Sequence, residues 1–214
     1  MAIWKPLLDF FLKPNCPLCD RPTPTTLCIY CDRQLQSEQL SDPLPSTTPF
    51  ILAGGNYSGT LKRAISQCKY HNHPQLGYYL GTMLGKTWLA NPPYDSQIIA
   101  IPIPLHPDKQ RQRGFNQAEL IAKGFCNYTG IKLNQSLLRV KSTEAQFQLN
   151  PIDRQQNLSD AFALKPGHKL SGRSIILIDD IYTTGATISA ASQPLQTANI
   201  DVVGIAVVAI ARLN

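Results

Sequence analysis

Four consecutive apolar residues, Ile175-Ile-Leu-Ile178, run directly into two carboxylates, Asp179-Asp180, and then into Ile-Tyr-Thr183-Thr184-Gly185-Ala186-Thr187. The β-branched run predicts a buried strand over Ser174–Asp179, and the polar turn after it leads into a helix predicted over Ala186–Ala198. A strand that ends on charge and returns through a helix is the unit of a parallel α/β sheet, whose ligands sit outside the carboxyl ends of the strands. The backbone N–H groups and hydroxyls of Thr183–Thr187 can wrap one phosphate at the helix N-terminus, and Gly185 lets the backbone approach closely. The carboxylates would repel that phosphate, so they should face another part of the same ligand. Sugar hydroxyls, directly or through Mg²⁺, fit that requirement. The bland alternative is an ordinary strand–turn–helix, which leaves two adjacent carboxylates at a buried strand end at a cost. No Gly-Lys-Ser/Thr occurs, so a nucleotide P-loop is not expected.

The rest of the chain alternates in the same way from Phe50 onward. Phe50–Tyr57 is a strand candidate, and Leu61, Ala64, Ile65 and Cys68 recur at helical spacing. Leu76, Leu80, Met83, Leu84 and Trp88 repeat that spacing, Ile98–Ile103 is a second buried strand, and Phe115–Phe125 carries another helical face that Gly130 ends. Val202–Ile210 is the last strand. Pro194 should kink or shorten the helix before it, and Asn199 can take the left-handed cap position. The expected fold class is therefore α/β: a parallel sheet with helices on both faces.

The first 40 residues are different. Cys16-Pro-Leu-Cys19 and Cys28-Ile-Tyr-Cys31 place two Cys-x-x-Cys pairs eight residues apart. Each pair can grip one metal from a tight turn, and four thiolates close a tetrahedral Zn²⁺ site with no open position, so its role should be structural. A redox dithiol is the alternative. Cys68 and Cys126 read as buried core thiols. The opening segment, Met1 to Pro14, reads as a short amphipathic helix. Asp9 interrupts its apolar run and no small-residue cleavage site follows, so a signal peptide is not expected. Contact with a membrane surface is the alternative for this segment. Ser41–Pro49 is rich in Pro, Ser and Thr and reads as a linker. The predicted organisation is 1–40 for the helix and four-cysteine zinc module, 41–49 for the linker, and 50–214 for the α/β domain. No transmembrane helix is expected, and the expected location is cytoplasmic, with the inner face of the membrane as the alternative.

The net charge of +6 is unevenly spread: residues 1–59 carry 4 basic and 5 acidic side chains, 60–173 carry 15 and 6, and 174–214 carry 1 and 3. The middle of the chain is therefore the part suited to a polyanion. Lys69-Tyr70 and Arg113-Gly-Phe115 interleave cations with aromatic rings, a pattern compatible with single-stranded DNA.

Ile175–Thr187 resembles the phosphoribosyl pyrophosphate signature of type I phosphoribosyltransferases. Further blocks follow in order: Ile101-Pro-Ile-Pro-Leu-His-Pro107, Arg113-Gly-Phe-Asn-Gln-Ala-Glu-Leu-Ile-Ala122, Thr143-x-x-Gln146-x-x-Leu149, and Arg154-x-x-Asn157 before Ala161-Phe162. Together with the N-terminal cysteine pairs they are similar to the competence protein F (ComF) family over nearly the whole chain. Pro194 and Asn199 depart from that family's smoother helix and glycine end.

This resemblance implies a type I phosphoribosyltransferase-like sheet behind a small zinc module. It places Asp179 and Asp180 on ribose hydroxyls, and Thr183, Thr184, Gly185, Ala186 and Thr187 on the 5′-phosphate. It makes the turn Leu105–Lys109, with His106 and Lys109, a pyrophosphate loop. Lys109, Arg111 and Arg113 would supply positive charge beside the leaving pyrophosphate, and Arg113 counts with Asp179 and Asp180 as catalytic. Mg²⁺ would arrive with the ligand. The polar stretch from Lys141 to Gln156, which contains Arg154 and is followed by Asn157, could form a lid; the alternative is that Arg154 and Asn157 cap and anchor the next helix. The implied function is phosphoribosyl transfer to an acceptor in support of DNA uptake, with single-stranded DNA and uptake proteins as partners. The alternatives are a nucleotide salvage or synthesis phosphoribosyltransferase and a non-catalytic competence factor that binds single-stranded DNA or protein.

Overall fold

The structure, a computed structural model, describes residues 14–40, 49–90, 98–141 and 160–211. The opening amphipathic segment up to residue 13, the linker residues 41–48, the Gln146 and Leu149 block, the Arg154 and Asn157 block and nearly all of the lid stretch lie outside the described residues.

Five strands form one all-parallel sheet: β1 (Phe50–Asn56), β2 (Ile98–Pro102), β3 (Lys132–Leu133), β6 (Ser174–Tyr182) and β7 (Val202–Ile210), in the order β1-β7-β6-β2-β3. Two more, β4 (Leu137–Arg139) and β5 (Phe162–Leu164), pair antiparallel as a separate ribbon. Six helices are present among the described residues: α1 (Ile29–Ser37), α2 (Gly59–Tyr70), α3 (Gln75–Ala90), α4 (Pro107–Arg113), α5 (Gln117–Thr129) and α6 (Ala186–Thr197).

Alternation along the central strands builds two cores. Ile176 and Ile178 face α2, α3 and α5, where Leu61, Leu80, Leu84, Ile121 and Phe125 pack. Ile175 and Leu177 face the other way, onto Ile188, Ala191 and Leu195 of α6 and onto Phe162 of the ribbon. Helices therefore cover both faces, as the apolar periodicity predicts. Trp88 packs edge-on to Phe125 and tilted to Phe50, each at 5.7 Å between centroids, a geometry that adds about 0.5–1.5 kcal/mol per pair beyond burial.

Local chemistry sets several boundaries. Asn199 adopts φ 53°. Its amide donates to the Gln196 carbonyl at 2.9 Å and that of Ile200 to Leu195 at 3.0 Å, a Schellman end that closes α6 where a left-handed Asn was expected. Pro194 lies inside α6, which carries on to Thr197; the buried face through Ile188, Ala191 and Leu195 holds the helix across the missing N–H. β7 spans the predicted residues, whereas β6 runs three residues past its predicted end.

The cysteine module shares the first core. Cys16, Leu27, Cys28, Cys31 and Leu35 are buried in the same cluster as Leu61 and Leu84. The Tyr79 hydroxyl on α3 donates to Asp32 on α1, and the Leu40 amide donates to the Gly54 carbonyl on β1. Glu38 accepts from the amides of Thr60 at 3.0 Å and Leu61 at 2.9 Å, capping α2 from outside its own segment. Burial alone would raise the Glu38 carboxyl, but these two amide donors outweigh it and hold it below its ordinary value.

Glu38→Gln is expected to cost about 1 kcal/mol at neutral pH. A depressed carboxyl contributes stability that is complete above its unfolded value and is lost as pH falls through the folded one. The gap between wild type and Glu38→Gln in urea midpoints should therefore close on acidification below the ordinary value of 4.5. A gap independent of pH would refute the cap.

Candidate functional site

β2 and β6 lie side by side, yet the chain leaves β2 toward β3 on one flank and leaves β6 toward β7 on the other. Their boundary is a topological switch point, where the connections diverge and open a crevice. β2 pairs with β6 as far as Pro102 opposite Ile178, and the Ile103 amide adds a bond to the Ile178 carbonyl at 2.9 Å. Beyond that point β6 continues from Asp179 to Tyr182, paired only with β7. The two carboxylates stand on this one-sided extension.

Strand alternation sends them to opposite faces. Asp180, buried, points to the α2 side, where Lys69 Nζ lies 2.6 Å from its Oδ2. The side chains of Lys69 and Asp180 are 15% and 7% exposed. Burial works against the charge on Lys69, but Asp180 first and Asp179 second outweigh it and raise its pKa. Asp179 is on the ribbon side, within electrostatic reach of Arg139 on β4. Burial, and then the adjacent Asp180 charge, push Asp179 above the ordinary carboxylate range, although the Asp180 amide donates to its Oδ1 at 2.8 Å.

The turn Thr183-Thr184-Gly185 joins β6 to α6, and Ala186 and Thr187 form the first residues of the helix. Gly185 is left-handed at φ 77°, and a Cβ there would meet the Tyr182 hydroxyl at 2.6 Å. The Ala186 amide donates to Thr184 Oγ1 at 3.4 Å. Thr183 and Thr184 are exposed.

Across the crevice, β2 leads into α4. His106 is its N-cap and accepts from the Asp108 amide through Nδ1 at 3.3 Å. Asn116 fixes the other end: its side chain donates to the Ile103 carbonyl and accepts from the Ala118 amide, both at 3.0 Å. The expected turn over Leu105–Lys109 is corrected here: Pro107 starts a helix, being preset in φ for that position. Helical spacing then sorts the cations. Lys109 and Arg113, four apart, share one face and line a cleft of about 550 Å³ with Lys69, Tyr70, Asn72, Gln112 and Phe115. Arg111 projects outward, 75% exposed, and pairs with Asp108, so the positive charge expected from it belongs to the surface. Arg113 lies over the ring of Tyr70, 5.6 Å from its centroid. Burial, with Arg139 and Arg113 adding to it, lowers the Lys109 pKa.

The second candidate site is the cysteine cluster. The four sulfurs of Cys16, Cys19, Cys28 and Cys31 all lie within 4.8 Å of one another, and those of Cys19 and Cys28 are 3.4 Å apart. Zn–S bonds of about 2.3 Å at tetrahedral angles set sulfurs about 3.8 Å apart, so the cluster fits a zinc-sized ion. The Cys31 amide lowers the Cys28 thiol to about 6, whereas burial and the other three sulfurs raise Cys31.

Competence protein F of Haemophilus influenzae is 37% identical to this chain over 103 residues, 47% of the chain and 45% of that protein. Competence protein ComFC of Bacillus subtilis is 28% identical over 184 residues, 84% of the chain and 70% of that protein. DNA utilization protein YhgH of Salmonella typhi is 26% identical over 186 residues, 84% and 77% respectively. The chain is a homologue of the competence protein F proteins. No protein-family model matches it, and its match spans less than half of the Haemophilus protein. Among solved structures, an adenine phosphoribosyltransferase of Leishmania donovani overlays on 80% of the chain and 86% of its own, with TM-score 0.43 and 13% identity. An overlay that loose assigns no substrate.

Of the residues expected in this competence protein F homologue, Lys109 and Arg113 line one cleft together with Lys69, whose ammonium pairs with Asp180; Asp179 stands on the opposite face of the same strand, and the Thr183–Thr187 segment follows at its end. Two participants are missing from the sequence reading. Arg139 sits on a three-residue strand whose short pattern marks no function. Lys69 reads from sequence as a cation beside an aromatic residue; nothing local shows that it meets a carboxylate 111 positions later. No helix among the described residues is long and apolar enough to cross a membrane.

Proposed function

We propose that the chain binds a phosphoribosyl pyrophosphate-type ligand with Mg²⁺ at this crevice and transfers the phosphoribosyl group to an acceptor, in the setting of DNA uptake. The observation that supports the reading is the one-sided extension of β6, which carries two carboxylates, runs into the Thr183–Gly185 turn and is tied through Asp180 to Lys69 in a cleft of three cations. One ligand that combines a phosphate, vicinal hydroxyls and a diphosphate matches all three parts. Asp179 and Asp180 accept hydrogen bonds from ribose hydroxyls, and Thr183–Thr187 surround the 5′-phosphate. Lys109 and Arg113 face the diphosphate and stabilise the charge it gains on leaving, so orientation and electrostatics supply most of the rate. The carboxylate oxygens of Asp179 and Asp180 are the hard donors this chain offers to Mg²⁺, which would neutralise part of the diphosphate charge. The names of the relatives, competence protein and DNA utilization protein, support the DNA-uptake setting, and Zn²⁺ held by the four cysteines would brace the core they share with the sheet.

Calorimetry with phosphoribosyl pyrophosphate and Mg²⁺ tests this reading. Wild type should release heat at one site per chain, and the Asp179→Asn/Asp180→Asn double variant should show none. A silent wild type sinks the proposal.

A second reading places single-stranded DNA in the same cleft, because Tyr70, 67% exposed, stacks with Arg113 and shares the cleft with Phe115. A gel shift whose affinity falls steeply with salt would support it. Absence of any shift at low salt would leave the DNA role to a protein partner.

A further inference from the structure

Lys69 has two neighbourhoods. Its ammonium is paired with Asp180 at 2.6 Å, and its side chain also lines the cleft that Lys109 and Arg113 share. The described residues lining that cleft include no acid. Water screens a pair this enclosed only weakly.

A bare divalent cation that reached Asp180 would have to displace the ammonium. Lys69 would then be left beside Lys109 and Arg113 in a partly buried space where like charges repel strongly. A cation that arrives on a diphosphate changes the balance, because the phosphate oxygens give the displaced ammonium a new partner in the same cleft.

We propose that Lys69 is the resident counter-ion of the Asp179–Asp180 pair and determines which cations the site accepts, refusing free divalent metal and admitting metal that is carried on a di- or polyphosphate. In the empty protein Lys69 also holds Asp180 in place, so it is a specificity-determining residue that changes partner on binding. The inference rests on the phosphoribosyl reading only for its second half. Exclusion of free metal depends on the ion pair alone.

Manganese is a suitable probe, since its free and bound forms differ by electron paramagnetic resonance. Wild type, Lys69→Met, Lys69→Gln and Lys69→Arg are titrated with Mn²⁺ alone, and then with Mn²⁺ and inorganic pyrophosphate; thermal melts confirm folding. With Mn²⁺ alone, the Met and Gln variants should bind at least about tenfold more tightly than wild type, the size expected when a competing close charge is removed. Lys69→Arg should behave as wild type. With pyrophosphate present, the Met and Gln variants should lose about tenfold in pyrophosphate affinity, and Lys69→Arg should recover it. Folded Met and Gln variants whose Mn²⁺ affinity equals that of wild type would overturn the proposal. Failure of every protein to bind pyrophosphate would sink the phosphoribosyl reading, while the Mn²⁺ titrations still decide the role of Lys69.

Discussion

Cys28→Ser is expected to melt the cysteine module and to lower the thermal midpoint of the whole chain by about 10 °C. Residues 14–37 bury few side chains of their own, chiefly Cys16, Leu27, Cys28, Cys31 and Leu35. A fold that small would depend on the metal its four cysteines can hold, and structural zinc in such modules contributes about 10–16 kcal/mol. Without it the rest of the protein loses the packing of Leu35, the Asp32–Tyr79 hydrogen bond and the Glu38 cap on α2. Together these come to about 3–4 kcal/mol, and a unit of this size shifts by about 2–4 °C per kcal/mol. Circular dichroism melts with and without a chelator, beside zinc analysis, test the expectation. One equivalent of zinc is expected in wild type. A chelated, zinc-free wild type with an unchanged midpoint would refute it.

Gly81→Ala should be the most damaging small substitution in the helical layer. A Cβ at Gly81 would lie 1.9 Å from the Ile121 carbonyl oxygen on α5, and one at Gly124 would lie 2.0 Å from that of Tyr78 on α3. The obstacle is backbone, so no rotamer relieves it and the two helices must separate. Separation loosens Leu80, Leu84, Ile121 and Phe125 at once. The intrinsic preference of alanine for helix, about 1 kcal/mol, acts in the opposite direction and is outweighed. The net loss should reach about 3 kcal/mol, the top of the range for overpacking. Gly85 supplies the control, since its nearest obstacle is the Tyr128 Cβ at 3.2 Å, and Gly85→Ala should cost clearly less. Urea midpoints of the two variants give the ranking. Equal midpoints would show that the seam is looser than these distances.

The sequence reading is strongest where structure is set by neighbours in the chain. The alternating strands, the span of β7, the left-handed Asn199 and the grouping of four cysteines all follow from residues a few positions apart. It weakens where a contact spans the chain. Glu38 caps a helix more than twenty residues ahead, and Lys69 neutralises Asp180 from another layer; neither leaves a local trace. Arg111 shows a third kind of loss. A basic run read as a loop counts every cation, whereas a helix divides them by face, and only Lys109 and Arg113 turn inward. The Thr183–Gly185 turn between strand and helix was legible because its residues are neighbours in the chain, while the cleft opposite needs α2 and α4 brought together.

The short contact of Leu40 on Gly54, with Gln39 bridged to Gly55, bears on how this protein fails. β1 is the outermost strand of its sheet, and an outer strand offers unpaired amides and carbonyls as a template for another chain. The opposite margin, β3, is only two residues long and offers little. Residues 39 and 40 occupy part of the β1 margin in an antiparallel sense, as a guard strip would. Loss of zinc would release that strip together with the module, so the metal-starved protein should associate margin to margin and leave solution as aggregate before its sheet unfolds. Solubility in a zinc-poor cell would then report on those two residues as much as on the cysteines.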